Sequence, residues 1–153
     1  MYKRQFFHKR KSSTKDEVAN EELKNWENVY GKLLPKCRVL NVTNGPCLVM
    51  PYLHPIPQQG RQELLNDGSI EGALSDFAKS GYIHTDIKWR HLGRWVSKQG
   101  KDIYCFIDLG DVVQAKSSGE ISSWQEKSMK RLTDSVGEVA SAATPGKKRK
   151  SVN

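Results

Sequence analysis

The chain predicts an α+β fold in which helices are interspersed with small antiparallel hairpins, and three local patterns carry that prediction. Asn44-Gly45 lies between two β-rich runs, a strong short-range hairpin signal. Arg94-Trp95-Val96 and Ile103-Tyr104-Cys105-Phe106-Ile107, separated by the turn residues 97–102, read as a second hairpin. Ile70, Ala73, Leu74, Phe77 and Ala78 recur at the spacing of one helical face. With 153 residues the chain is long enough for one modest core.

In chain order, Met1-Tyr2-Lys3-Arg4-Gln5 reads as a translated sequencing adapter, so the native chain is expected to begin upstream and this pentapeptide is set aside from the fold, while residues 1–13 as a whole read as a basic N-terminal segment. Thr14-Lys15-Asp16-Glu17 fits a capping box, in which hydroxyl and carboxylate each satisfy an orphan amide. Val18, Leu23, Trp26, Val29 and Tyr30 follow at roughly helical spacing, and Gly31 ends the helix. Residues 36–42 and 46–50 form the first hairpin, and its second strand runs into Met50-Pro51-Tyr52-Leu53-His54-Pro55, a segment stiffened by proline. Residues 56–66 predict a surface connection with one helical turn at 61–65. Asp67-Gly68-Ser69 caps the helix of Ile70–Ala78, which Gly81 stops. Residues 114–120 predict a polar, mobile link, and Ser123-Trp124-Gln125-Glu126 a second capping box opening a helix to Gly137. The tail from residue 139 is small, polar and basic, and predicts disorder.

A content of 37% hydrophobic and 27% charged residues is ordinary for a globular protein, but the net charge of +8 is not. Much of the excess sits near the ends, in Lys3, Arg4, Lys9, Arg10, Lys11 and Lys15 and in Lys147-Lys148-Arg149-Lys150. Without interleaved aromatics this argues against a nucleic-acid binder. Cys37, Cys47 and Cys105 lack metal-ligand spacing and predict buried thiols in a reducing compartment. No apolar run reaches membrane-spanning length and no signal-peptide core is present, so a soluble, intracellular protein is expected, cytoplasmic or nuclear.

The second hairpin folds the chain back on itself and should bring Asp86, just before it, to the same side as Asp108, just after it. One carboxylate can then accept a proton while the other holds a metal. His84-Thr85-Asp86-Ile87-Lys88 resembles the H-x-D-x-K start of the protein kinase catalytic loop, and Ile107-Asp108-Leu109-Gly110 resembles its metal-binding Asp-Phe-Gly element in the Asp-Leu-Gly form.

That resemblance covers about residues 14–113, with 114–138 as linker and C-terminal helix, and implies a partial protein-kinase-like fold: helix and small antiparallel sheet, hinge, then helix and catalytic hairpin. It implies that Asp86 orients and deprotonates a Ser or Thr hydroxyl, that Lys88 steadies the transferring phosphate beside the motif's His84, and that Asp108 binds Mg2+ with ATP. His91 stands where the family has an asparagine ligand for a second magnesium, and imidazole is a poor magnesium ligand. The hinge would be Met50 as gatekeeper, with the Pro51 carbonyl and Leu53 amide facing adenine. Glu21, ahead of Glu22, would pair with a strand lysine; neither Lys3 nor Arg4 is assigned to that role. There is no G-x-G-x-x-G and no Ala-Pro-Glu element, and the shortened second lobe resembles the kinase-like domains of Crinkler-type effectors. The resemblance implies an ATP-dependent phosphotransferase with a protein substrate; the alternative is a pseudokinase or kinase-like binding module. The basic run at Lys147–Lys150 predicts recognition by a nuclear import receptor.

Overall fold

A computed structural model describes residues 14–138 and the backbone of Tyr2–Phe6. The expectations for the basic tail at 139–153 lie outside the described residues. The first strand, β1 (Tyr2–Phe6), pairs antiparallel with β3 (Gly45–Pro51), which also takes β2 (Arg38–Val42) on its other edge, giving the order β1-β3-β2. Residues 2–5 of the pentapeptide set aside in the sequence thus lie in an edge strand, with Lys3 opposite Met50 in the register.

Helix α1 (Lys15–Tyr30) packs across this sheet. It starts where its capping box requires: Thr14 Oγ1 accepts from Glu17 N at 3.2 Å, and Thr14 N donates to Glu17 Oε2 at 2.6 Å. Its buried face carries Val18, Glu22, Trp26, Val29 and Tyr30, close to the four-residue spacing of a single helical stripe.

After β3 the chain crosses through β4 (His54–Pro55) and the short α2 (Arg61–Asn66) to α3 (Ser69–Ala78). Strand β5 (Tyr82–His84) then leads through a single 3-10 turn at Trp89–His91 into the hairpin of β6 (Leu92–Val96) and β7 (Asp102–Phe106). β4 joins that hairpin on the free edge of β6, so the crossing segment is hydrogen-bonded directly to the second half of the molecule. Gly93 makes this possible, because a Cβ there would come within 2.6 Å of Leu53 Cβ. β5 also pairs with β8 (Val112–Gln114), closing the segment between them into a loop whose two ends lie side by side.

The last helix, α4 (Ser118–Asp134), corrects the expected link and start. Ser117 Oγ accepts from Glu120 N at 3.2 Å while Lys116 N donates to Glu120 Oε2 at 2.6 Å, so the helix begins with residue 118 and Ser123 lies inside it. The earlier Ser-x-x-Glu signal wins because its glutamate and serine satisfy two orphan amides reciprocally, and the helix runs on unbroken from there.

The core runs through both halves as a chain of aromatics. Tyr30 meets Trp26 at 5.1 Å and Phe77 at 6.0 Å between ring centroids, and Phe77 meets Phe106 at 6.2 Å and Trp124 at 5.3 Å. Tyr30 Oη accepts from Phe106 N at 2.8 Å, tying α1 to β7. Cys47 and Cys105 are buried, and burial pushes the Cys105 thiol well up; Cys37 is half-buried, its thiol pushed up to about 11 mainly by desolvation. No helix among the described residues is long and apolar enough to cross a membrane.

Candidate active site

The turn after β5 and the turn after β7 are held together by backbone and side-chain hydrogen bonds, and this brings the two motifs into one site. Thr85 donates twice to Asp111 O, from its amide at 2.8 Å and its hydroxyl at 2.9 Å, and Ile107 N donates to His91 O at 2.6 Å. His84, only 1% exposed, sits inside the join. Its Nε2 bonds Ile107 O at 2.9 Å and its Nδ1 accepts from Asp86 N at 3.1 Å, a pattern that requires the neutral ring with the proton on Nε2. The residue therefore braces the loop and does not present a free nitrogen.

Burial lowers the His84 pKa below its ordinary 6.5, opposed in part by the bond to Ile107 O. The unfolded chain then binds the proton more readily than the folded one. Stability should decline as the pH falls below about 6.5 and level off below the folded-state value. Asp86 acts in a separate window, because its pKa is lowered from 3.8 and its contribution is lost only as the pH falls through that carboxylate range. Between about pH 7.5 and about pH 5.5 the midpoint of thermal unfolding should therefore drop, and drop less in His84→Gln. Equal slopes in the two proteins would assign the titration to another group.

Asp86 and Asp108 approach one ring from its two nitrogens. His91 Nδ1 donates to Asp86 O at 2.8 Å and lies 3.8 Å from Asp86 Oδ2, while Nε2 lies 3.8 Å from Asp108 Oδ2. Lys88 Nζ contacts both carboxylate oxygens of Asp86, at 2.7 and 2.8 Å. That ammonium is the main cause of the lowered Asp86 pKa, so the carboxylate is ionised and able to accept hydrogen bonds at neutral pH. Arg131 Nη2, from α4, stands 3.7 Å from Asp86 Oδ1.

Asp108 has φ 64° and ψ 52°, the left-handed region that aspartate tolerates better than most residues but still at a cost. Helix α1 holds it there by its neighbour. Leu109 N donates to Glu22 Oε1 at 3.1 Å, and Leu109 O accepts from Asn25 Nδ2 at 2.8 Å. The carboxylate of α1 that reaches this motif is thus Glu22, 2% exposed, whereas Glu21 faces outward in solvent. The helical phase contains that signal, because residue 22 is four from both Val18 and Trp26.

The donor set suits a magnesium ion of the kind held by one carboxylate together with phosphate oxygens and water, through Asp108. It does not suit a second one at His91, whose Nε2 is a nitrogen and already accepts from Arg90 Nε at 3.0 Å. Among the described residues no three His, Cys, Asp or Glu gather into a cage that would hold a metal unaided. Of the hinge residues, Met50, Pro51 and Leu53 are all buried, with Pro51 in register with Tyr2 of β1.

α4 is fastened to this site by two indoles. Trp124 Nε1 donates to His84 O at 2.8 Å, and Trp89 Nε1 donates to Leu132 O at 2.9 Å. Neither contact was readable from the sequence, since each joins segments about forty positions apart with no local signature.

A family model described as a family of unknown function (DUF5898) matches residues 5–95. None of the curated proteins matches the sequence. Among solved structures the chain is similar to the Rio2 kinase from Chaetomium thermophilum in its complex with ADP, Mg2+ and phosphoaspartate, at 13% identity and a TM-score of 0.51. The match covers 90% of this chain and 46% of that one, so the chain spans about half the length of the kinase it resembles. At that identity the likeness establishes the fold, a partial kinase-like one.

Proposed function

We propose that this chain, which belongs to the family of unknown function DUF5898 and has a kinase-like fold, carries the ATP- and magnesium-dependent phosphotransfer site of a protein kinase acting on Ser or Thr hydroxyls. The observation that supports it most is the convergence of Asp86 and Asp108 on the two nitrogens of His91 from opposite ends of the β6–β7 hairpin. Asp86, kept ionised, would orient the acceptor hydroxyl and take its proton. Lys88 would carry its charge from Asp86 toward the transferring phosphate, and His84 would hold the loop in place. Asp108 would hold the magnesium, which, when bound, neutralises charge on the phosphates. Met50, Pro51 and Leu53 would form the hinge against adenine, and Glu22 takes the place proposed for Glu21 as the inward carboxylate of α1.

Calorimetric titration with ATP tests this. Binding tighter than about 1 mM that depends on Mg2+ and is weakened by Asp108→Asn is expected. The absence of any binding would end the proposal. Binding without transfer to Ser or Thr peptides would favour a kinase-like binding module, the reading to which His91, engaged by Arg90 where the family has asparagine, lends support. A hydroxylamine-labile label on the chain itself would instead indicate an aspartyl phosphate, the modification named for the Rio2 kinase complex. Nuclear import through Lys147–Lys150 is proposed from sequence alone, and cytoplasmic retention of a large reporter fused to residues 140–153 would defeat it.

A further inference from the structure

Beside Asp86 lies a cleft of about 720 Å³ between the Trp89 turn and the C-terminal half of α4, and its lining is strongly cationic. Arg61, Lys88, Arg90, Lys127, Lys130 and Arg131 face two carboxylates, Asp134 and Glu138. That excess is half of the chain's net charge of +8, gathered in one cavity. Lys127, Lys130 and Arg131 fall three and four residues apart on α4, a spacing at which like charges repel on a helix surface.

Little in the described residues relieves them. Lys130 is paired with Asp134 at 2.6 Å, but Arg131, 50% exposed, reaches Asp86 only at 3.7 Å, and no described carboxylate lies within 4.0 Å of Lys127 or Arg90. A second, independent feature points the same way. Arg61 is only 8% exposed, its guanidinium lies 5.3 Å over the Trp89 ring, and its Nη1 bonds the carbonyls of Val136 and Glu138, yet its buried Nε has no hydrogen-bond partner among the described residues. A desolvated, rigidly held guanidinium with unused donor capacity is suited to an anion.

We propose that this cleft docks an anionic side chain, phosphomonoester or carboxylate, of the polypeptide whose hydroxyl is delivered to Asp86. The inference rests on the phosphotransfer reading for the role of Asp86 but not for the binding itself. Lys88 both lines the cleft and bonds Asp86, so an extended acceptor, advancing about 3.3 Å per residue, would place an anion a few positions from its hydroxyl over these cations. A polypeptide fits better than nucleic acid. The cations converge on one cavity and form no stripe, and the aromatic residue in the lining, Trp89, is 4% exposed and has no face on which a base can stack.

Fluorescence anisotropy on the whole chain, without nucleotide or metal, tests this with three serine peptides that differ at one position: phosphoserine, glutamate or alanine. The phosphoserine or glutamate peptide, or both, should bind at least about tenfold more tightly than the alanine peptide, and the ranking of the two distinguishes a phosphate from a carboxylate as the ligand. The double change Lys127→Glu, Arg131→Glu should abolish that preference while leaving the thermal midpoint within a few degrees, with the basic termini identical in both proteins. Equal affinity for all three peptides would overturn the proposal, as would a preference untouched by the charge reversal or tighter, reversal-sensitive binding of a single-stranded oligonucleotide. Selective peptide binding by a protein that fails to bind ATP would sink the phosphotransfer reading and keep the docking site. Transfer that proceeds equally on all three peptides would do the opposite.

Discussion

Asp86→Asn should lower phosphoryl transfer by about 10²–10⁴-fold while leaving the affinity for Mg2+-ATP within about twofold, because a positioned general base is worth roughly that much and the proposed function puts the residue on the acceptor side. The amide keeps the shape of the carboxylate but cannot take a proton, and it frees Lys88, which now contacts both oxygens at 2.7 and 2.8 Å. Asp108→Asn should reverse the pattern, with metal-dependent nucleotide binding lost first and transfer falling as a consequence. Single-turnover transfer at saturating nucleotide, measured beside calorimetric binding, separates the two steps. If both variants lose binding and transfer in the same proportion, the division of labour between the aspartates is wrong.

Trp124→Ala should destabilise the protein by about 3–5 kcal/mol, the usual cost of emptying a buried aromatic site. Against a total stability of about 5–15 kcal/mol, that is enough to bring a domain of this size near unfolding. The indole packs on Phe77 at 5.3 Å and donates to His84 O at 2.8 Å, so its loss opens the core and strands a carbonyl at the end of β5. Trp124→Phe keeps most of the packing and removes the hydrogen bond, and should cost about 1–3 kcal/mol. Denaturant titration of both variants gives the measurement. A cost under about 1 kcal/mol for the alanine change would mean that α4 is an appendage and not part of the core.

What could be read in the sequence was what neighbouring residues decide. The capping box at Thr14, the Asn44-Gly45 turn, the stripe from Ile70 to Phe77 and the hairpin between Asp86 and Asp108 are all local, and the structure has them. The pairing of β5 with β8 was invisible because each strand is three residues long and its partner lies on the far side of the hairpin. Ser117-x-x-Glu120 and Ser123-x-x-Glu126 carry the same local signal, and only the folded chain shows that the first of them starts the helix. Glu21 and Glu22 are adjacent in sequence, and only Glu22 falls on the buried stripe of α1. The cationic cleft combines Arg61, the Trp89 turn and α4, three stretches that meet only when the indoles seat the last helix.

Leu109 is held at its amide by Glu22 and at its carbonyl by Asn25, residues one helical turn apart. The Asp108 carboxylate next to it therefore has no posture of its own; it inherits one from the seat of α1. This works as an interlock, since a helix shifted by one residue, about 1.5 Å along its axis, carries both grips out of register at once. Whatever presses on the outer face of α1, where Glu21 and Lys24 meet solvent, has a mechanical route to Asp108 that never enters the cleft.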